Sequence, residues 1–226
     1  NIFVKFYKNF FVYFLYMSET QEDNADLFEY KETWDEKFLA PELVLTNYNY
    51  KLLAEEHGFG LFTFPLFSKN FCKELIKKLK KFDSWTVNRH RTYPTNDVLI
   101  ENFDERFAKI YDCILRNMLH PALNNLYNCE IHPQFEHETF IIRYKPELQG
   151  HLDLHHDHST FTFCVTFSSD EDYEGGGTYF PKHKLLLKAK QGVVAIHPGM
   201  MTHQHGVRPI ISGERYAMVS FCKLKF

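Results

Sequence analysis

The chain has 226 residues, 44% of them hydrophobic, and a formal net charge of -3 at pH 7. This length and hydrophobic content suffice for one domain with a sizeable core and exclude an intrinsically disordered chain. The small net charge and the lack of a basic stripe argue against nucleic acid as the main partner. Five scattered cysteines predict neither a disulfide framework nor a Cys-x-x-Cys metal site.

The N-terminal part of the chain differs in composition from the rest. Two lysines precede an apolar run over residues 10–17, which is typical of a secretory signal, but the run is too short to cross a bilayer as a helix and lacks the small residues of a cleavage site. Residues 18–36 are acidic and polar and predict a linker or a loosely packed arm. We therefore expect an arm at residues 1–36, poorly ordered or a non-native extension, followed by one domain at residues 37–226.

The cellular compartment that we predict for the protein depends on its first residues. Met17 resembles an ordinary start, which favours residues 1–16 as translated upstream sequence over an anchor. We expect a cytoplasmic protein if Met17 is the true start, and one of the endoplasmic reticulum if the apolar run is a signal or anchor.

Two segments predict amphipathic helices. After Ser68, hydrophobic residues recur along one helical face. A second helix is predicted to start with Asn102 as its N-cap and Glu105 three residues later, a capping-box arrangement. Pro121 is expected to end or kink it. Both apolar stripes predict helices that pack on a sheet.

From about residue 134, short β-branched and aromatic runs alternate with turn residues. The candidate strands are 138–145, 151–157, 160–168, 177–181, 184–189, 193–197, 203–208 and 214–223. This many short strands predict a jelly roll. The predicted fold class is α+β, a double-stranded β-helix (jelly roll) with N-terminal helices packed on the sheet. Gly175–Gly177 is predicted to form a turn with positive φ.

Three residues form a predicted metal site: His155 and Asp157, in a His-x-Asp pair, and the distant His205. Alternate residues of a strand point to one face, so His155 and Asp157 project together and His156 points away. His205 completes the triad if its segment pairs beside the first strand. Two imidazoles and one carboxylate leave open coordination positions, which is typical of non-haem Fe(II) oxygenases.

Two other registers remain open. His151 and Asp153 form a second His-x-Asp pair, on the same face if the strand is unbroken. His203 is an alternative to His205 as the third ligand. Since the chain has 13 histidines, several of them must have other roles.

Arg215 is the candidate for binding a carboxylate co-substrate. It follows His205 and offers a planar guanidinium that suits bidentate binding of a carboxylate. We expect its side chain to return to the metal along the neighbouring strand.

The segments around these residues resemble the C-terminal oxygenase domain of procollagen lysyl hydroxylases. The resemblance covers about residues 30–224 of the chain. The similar segments are Phe140–Pro146, His155–Thr162, Asp172–Gly177, His197–His205 and Gly213–Phe221. Related prolyl hydroxylases usually have a lysine where this chain has Arg215.

The resemblance implies a ligand set and cofactors. Fe(II) would be bound by His155, Asp157 and His205, and these residues with Arg215 would be catalytic. The co-substrate would be 2-oxoglutarate, held by Arg215 and Tyr144, and L-ascorbate would restore over-oxidised iron.

Cys164 departs from the family pattern. The family tends to have an asparagine there, as a contact to the co-substrate. A thiol is a poor substitute for an amide as a hydrogen-bonding group. The resemblance therefore does not carry that contact over to this chain.

The implied activity is hydroxylation at C5 of lysine residues in collagen-like or other polypeptides, with release of succinate and CO2. Two alternatives stay open: the same chemistry on proline or another protein residue, and a non-enzymatic jelly-roll binding module. The acidic run Asp170–Glu174 favours a cationic substrate, although such a run is also typical of a solvated loop. The implied partner is a lysine-containing polypeptide, and a homodimer is compatible with the resemblance.

Overall fold

The structure is a computed structural model and describes residues 27–31, 33–87, 89–90, 92–131 and 135–224. The apolar run predicted near the N-terminus lies outside these residues. Within them, no helix combines the length and the hydrophobicity needed to cross a membrane.

The α-helices of the described residues all precede the long strands, whereas two 3-10 turns, Pro181–His183 and Met200–Thr202, lie among the later strands. The helices before the long strands are α1 (Trp34–Phe38), α2 (Pro41–Leu45), α3 (Tyr50–Leu53), α4 (Lys69–Lys81), α5 (Ile100–Phe103), α6 (Glu105–Ile114), a π-helical turn (Leu115–Leu119) and α7 (His120–Tyr127).

Helix α4 confirms the first predicted helix. The Ser68 hydroxyl accepts a hydrogen bond from the Phe71 main-chain N–H at 3.1 Å and so caps the first turn. Phe71, Leu75 and Leu79 are fully buried along one face. This face packs on the large sheet, as the spacing of its apolar residues predicts.

Helix α6 corrects the predicted cap. Asp104, and not Asn102, is the N-cap: its carboxylate accepts hydrogen bonds from the N–H groups of Arg106 and Phe107 at 2.9 and 3.2 Å. Asn102 lies within α5, which ends where Asp104 adopts an extended backbone with φ -160°. The π-helical turn interrupts the α-helix just before Pro121. Pro121 therefore lies in the first turn of α7, where the missing N–H of proline costs little free energy.

The strands form two main sheets and a two-stranded ribbon. They are β1 (Glu55–Glu56), β2 (Phe62–Pro65), β3 (Asp97–Leu99), β4 (Phe135–Tyr144), β5 (Leu152–His155), β6 (Phe161–Thr166), β7 (Tyr173–Gly175), β8 (Thr178–Phe180), β9 (Leu185–Leu187), β10 (Val193–Pro198), β11 (His205–Val207), β12 (Ile210–Gly213) and β13 (Arg215–Leu224). The large sheet has the order β1-β2-β10-β6-β13-β4-β3, the small sheet β5-β11-β8-β9, and the ribbon pairs β12 with β7. This antiparallel arrangement with helices confirms the predicted α+β jelly roll.

The two faces of the large sheet have different partners. On β6, Phe163 and Val165 are buried in the main core together with the helices. The alternate residues Thr162, Cys164 and Thr166 line a cavity shared with the small sheet. The period of two along the strand therefore separates a helix-facing side from a cavity-facing side.

All eight predicted strands are present with small shifts of their ends. Five further strands were not predicted: β1, β2, β3, β7 and β12. Each of these has two to four residues.

The packed part of the chain begins before the boundary predicted at residue 37. Leu27, Phe28 and Trp34 are each at most 5% exposed and belong to the main core. The Phe28 ring stacks on Phe107 of α6 at a centroid distance of 5.1 Å. Residues 27–36 thus contribute to the core, whereas residues 1–26 lie outside the described part.

Candidate metal centre

The pairing of β5 with β11 brings two histidines together. His205 lies directly opposite His155 in the antiparallel register, and their ring centroids are 4.5 Å apart. Both side chains are buried. The prediction that the segment of His205 pairs beside the first strand is therefore confirmed.

Asp157 completes a group of three buried ligand-type side chains. It follows the end of β5, and its two carboxylate oxygens lie 3.3 Å from His155 Nε2 and 3.7 Å from His205 Nε2. One ligand atom from each residue lies within 4.8 Å of the others. His156, which lies between His155 and Asp157 in the sequence, is exposed, as the alternation predicts.

Main-chain carbonyls orient both imidazoles of the group. His155 Nδ1 donates to the carbonyl oxygen of Asp153 at 2.8 Å, and His205 Nδ1 donates to that of His203 at 2.9 Å. A neutral imidazole that donates through Nδ1 carries its lone pair on Nε2. Both Nε2 atoms are therefore available to bind an ion.

The carboxylate is held by a hydroxyl group. Thr162 donates to Asp157 Oδ2 at 2.6 Å, and the Ser159 hydroxyl is 2.8 Å from that of Thr162. Burial acts to raise the pKa of Asp157, but the neighbouring imidazoles, His205 first, and the hydrogen bond from Thr162 hold it well below its ordinary value. Asp157 is therefore an anion at neutral pH, as a metal ligand must be.

The alternative pair His151 and Asp153 faces solvent. Both side chains are exposed and lie 3.7 Å apart at the surface. The register explains why: His155 pairs with His205 and Leu152 with Val207, so β5 has one extra residue between the two pairs. Such a bulge reverses the alternation, so the condition of an unbroken strand, under which this pair would share the face of His155, is not met.

His203 is buried but stands outside the group of three. Its Nδ1 interacts with the Thr202 hydroxyl at 2.8 Å, and its carbonyl orients His205. Burial, followed by the neighbouring His183, lowers the pKa of His203 to about 4. The structure therefore brings His205, rather than His203, to the group of three.

His197 lies beside this group and was not predicted to be part of it. It is 2% exposed, its Nδ1 donates to the Pro198 carbonyl at 2.8 Å, and its Nε2 is 4.0 Å from Asp157 Oδ2. Burial, followed by the nearby His205, lowers the pKa of His197 to about 3, so the ring is neutral. The sequence feature that could have indicated a role for His197 is its position in β10, where alternate residues line the cavity.

The three ligand-type side chains open into a cavity of about 400 Å³ between the two main sheets. Arg215 reaches it from the start of β13, where it pairs with Tyr144 of β4. It lies on the large sheet, opposite the small sheet that carries His205, so the expectation of a neighbouring strand was wrong. The connection between β11 and β13 instead crosses from one sheet to the other.

The guanidinium of Arg215 is buried and has a free donor. The side chain is 5% exposed, its guanidinium carbon lies 5.4 Å from the centre of the Tyr144 ring, and no described residue hydrogen bonds to its Nε. Cys164 interacts with Arg215 inside the same cavity, and burial raises the pKa of its thiol. Arg215 can thus offer a donor to an anion, while Cys164 stays protonated.

The cavity entrance carries aromatic and basic groups. The Tyr93 ring is 5.2 Å from that of His155 and is 37% exposed. The Arg89 guanidinium donates to Asp97 at 2.8 Å and lies 4.1 Å from the centre of the Phe140 ring. Asp157 is the sole carboxylate among the described residues that line the cavity.

Comparison with known proteins gives sequence relatives among the procollagen lysyl hydroxylases. The chain is 31% identical over 209 residues to "Procollagen lysyl hydroxylase and glycosyltransferase" of Acanthamoeba polyphaga mimivirus, covering 87% of this chain and 23% of that protein. It is 27% identical over 217 residues to human "Procollagen-lysine,2-oxoglutarate 5-dioxygenase 2", covering 90% of this chain and 29% of that protein. The chain thus spans about a quarter of the length of these relatives. No model of a protein family matches it.

Solved structures share its fold. A viral collagen prolyl hydroxylase from Paramecium Bursaria Chlorella virus-1, in complex with 2-oxoglutarate, superimposes with a TM-score of 0.53 at 21% identity, covering 75% of this chain and 98% of that one. A Pseudomonas putida prolyl-4-hydroxylase superimposes with a TM-score of 0.56 at 12% identity, covering 74% of this chain and 94% of that one. These likenesses establish the fold.

Proposed function

We propose that this chain, which is homologous to the dioxygenase region of procollagen lysyl hydroxylases, is an Fe(II)- and 2-oxoglutarate-dependent oxygenase. It would hydroxylate lysine residues of a polypeptide at C5. The observation that carries the proposal is the buried group of His155, Asp157 and His205 at the floor of a cavity with a buried arginine. The chemistry at the iron would be oxidation of 2-oxoglutarate by O2 to succinate and CO2, with transfer of one oxygen atom to the substrate C–H bond.

The donor set fits Fe(II). Two imidazole Nε2 atoms and one carboxylate match the ligands of non-haem Fe(II) oxygenases, and they leave positions open toward the cavity. The hydrogen bonds at both Nδ1 atoms and at Asp157 Oδ2 hold the donors in orientation before an ion binds. His155, Asp157 and His205 would be the metal ligands.

The opposite wall fits a dicarboxylate co-substrate. The buried guanidinium of Arg215 has an unpaired donor and therefore favours an anionic partner. Arginine binds carboxylates with charge-assisted hydrogen bonds. Tyr144 lies against the same guanidinium and would line the pocket for the far carboxylate. The Cys164 thiol is a weak hydrogen-bonding group, so we infer that Arg215 supplies most of the binding.

The cavity walls would orient the substrate and exclude water. The inner faces of both sheets carry apolar groups, among them Phe180, Val207 and Val219. Exclusion of water strengthens the polar contacts inside and keeps the reactive centre from side reactions. L-Ascorbate would restore iron oxidised without substrate, as in the family that the sequence resembles.

Lysine is the proposed target because the sequence relatives are lysyl hydroxylases by name. Asp157 is occupied as a ligand, so recognition of the ε-ammonium would fall to aromatic rings at the entrance such as Tyr93. In the acidic run Asp170–Glu174, the exposed carboxylates of Asp170, Glu171 and Glu174 would attract a cationic polypeptide from a distance. A prolyl hydroxylase is the second candidate, and its support is the fold shared with two enzymes of that name.

A paired substrate assay tests the target residue. The purified protein would be incubated with Fe(II), 2-oxoglutarate and ascorbate, and with two collagen-like peptides that differ in having either lysine or proline at one position. Tandem mass spectrometry would locate any added oxygen. We expect hydroxylation of the lysine peptide; hydroxylation confined to proline would replace this target with the second candidate.

A further inference from the structure

Strand β5 is an edge strand that ends at the group of three. It is the first strand of the small sheet and pairs with β11 on one side, and His155 is its last residue. Asp153 and Leu154 within it are exposed. The N–H and C=O groups along the outer side of an edge strand are a template for pairing with another chain. Among the described strands none takes that side of β5, so its main chain is open to a partner next to the metal ligands.

The cavity opens to solvent along this edge. The loop that leads into β3 reaches β5, since the Tyr93 ring lies 5.2 Å from the His155 ring and Tyr93 is 37% exposed. His156 and His158, which follow β5, are exposed and also line the cavity. The opening therefore lies between Tyr93 and the outer side of β5, and the edge of the strand is continuous with the cavity.

A strand added to β5 would bring one side chain to the depth of the metal ligands. Neighbouring strands lie about 4.7–4.9 Å apart, and residues directly opposite each other project to the same face of a sheet. A residue opposite His155 would therefore point into the cavity, as His155 does. The Cδ atom of lysine, which is its C5, and the Nε2 atom of histidine lie at comparable depths from their main chains. The C5 atom of a lysine at this position would lie beside the ligand atoms.

The exposed groups of β5 suit a cationic polypeptide. The Asp153 side chain is 83% exposed, and an exposed carboxylate is an anion at neutral pH. Leu154, which is 45% exposed, offers an apolar contact to residues that flank the target. The edge thus combines main-chain groups with one negative charge and one apolar side chain.

We propose that the outer edge of β5 binds the polypeptide substrate as an added β-strand, with the target lysine opposite His155. This inference rests on the proposed function, because it assigns how the substrate of that site is held. Main-chain pairing supplies affinity, and the cavity selects the side chain. The substrate is therefore an extended segment of a polypeptide rather than free lysine.

N-methylation of a peptide tests the pairing. Successive N–H groups of a strand point to opposite sides, so alternate ones would bond to β5. Fluorescence anisotropy would measure the Kd of a short labelled peptide, with a central lysine and no proline, for protein loaded with Mn2+ and 2-oxoglutarate. We expect N-methylation at alternate positions to raise the Kd by about tenfold or more, and at the positions between them by less than about threefold. Losses without this alternation, or no binding of the unmethylated peptide, would overturn the proposal.

Hydrogen exchange locates the added strand. The same peptide should slow exchange of the main-chain amides of Leu152–His155. The matched control is Leu185–Leu187 of β9, the opposite edge of the small sheet, where exchange should not change. Slower exchange at β9 alone, or at neither edge, would contradict the proposal. Neither measurement needs turnover, so a protein that binds the peptide in this way without forming succinate would support the edge and refute the proposed function.

Discussion

Each side chain of the proposed metal centre is oriented by one identifiable hydrogen bond. The two imidazoles donate to the carbonyls of Asp153 and His203, and Asp157 accepts from Thr162. The carbonyls belong to the main chain, so side-chain substitution leaves them in place. The Thr162 hydroxyl is the one orienting group that a substitution can remove directly.

Thr162→Val should weaken metal binding while the fold survives. Valine has a similar shape but cannot donate to Asp157 Oδ2, and loss of a partner that orients a ligand typically costs about 10–100-fold in metal affinity. Isothermal titration of the metal-free protein with Mn2+ measures the change. Thr178→Val, which alters a cavity-lining hydroxyl on the opposite sheet, is the control; an equal loss in both variants would contradict a specific role for Thr162.

Arg215→Lys should raise the KM for 2-oxoglutarate by about tenfold or more and change the peptide KM little. Lysine keeps the charge but loses the planar pair of donors, and a hydrogen bond to a charged group is worth about 1.5–3 kcal/mol. Steady-state kinetics with each substrate varied in turn measures both constants. Arg116→Lys, at a half-exposed helix position, is the control, and an unchanged 2-oxoglutarate KM in Arg215→Lys would rule out this assignment.

The sequence predicts the three ligand-type residues better than it predicts the residues that surround and orient them. The His-x-Asp spacing predicts that His155 and Asp157 project together, because a period of two holds locally, and the resemblance to the family favours these two and His205 over the alternatives His151, Asp153 and His203. The roles of Thr162 and His197 depend on the pairing of β6 with β10, where the two residues lie opposite each other. Pairing between distant strands is not encoded in local periodicity, so these residues could not be predicted from the pattern alone.

At the scale of secondary structure, one residue decides where α6 begins. Asp104 is extended and its carboxylate bonds to two main-chain N–H groups of the first turn. The sequence alone also allowed Asn102, because asparagine is an equally good cap and Glu105 completes a capping box with it. The choice between the two follows from the position of α5, which a one-dimensional pattern does not contain.

Asp104→Ala should reduce the free energy of unfolding by about 1 kcal/mol, the usual cost of losing an N-cap. Asn102→Ala, at an exposed position within α5, should change it by less than about 0.5 kcal/mol. Urea denaturation followed by circular dichroism measures both variants against the wild type. A larger loss for Asn102→Ala than for Asp104→Ala would restore the cap predicted from sequence.

At the scale of the whole molecule, helices cover one face of the large sheet and leave the other to the cavity. Residues from the start of the described chain take part in this helical layer, since Phe28 packs on both Phe103 and Phe107. The acidic composition of residues 18–36 concealed this role. A few large apolar side chains can anchor a segment whose average composition is polar, because burial depends on the single residue.

Phe28→Ala should therefore destabilise the protein by about 3–5 kcal/mol, the usual cost of removing a buried aromatic ring. Leu45→Ala, at a side chain that is 84% exposed, is the matched control and should stay within about 0.5 kcal/mol of the wild type. Equilibrium unfolding in urea measures both. A loss below about 1 kcal/mol for Phe28→Ala would show that residues 27–36 are dispensable for the core.

The central claim is that His155, Asp157 and His205 hold an iron that consumes 2-oxoglutarate. Succinate formation in the presence of Fe(II), O2 and the lysine peptide tests it most directly. We predict turnover by the wild type and by His151→Ala, loss when Fe(II) is chelated, and background levels for folded His155→Ala, Asp157→Ala and His205→Ala. Succinate formation that persists in folded Asp157→Ala, or that disappears in His151→Ala while His155→Ala stays active, would contradict this account.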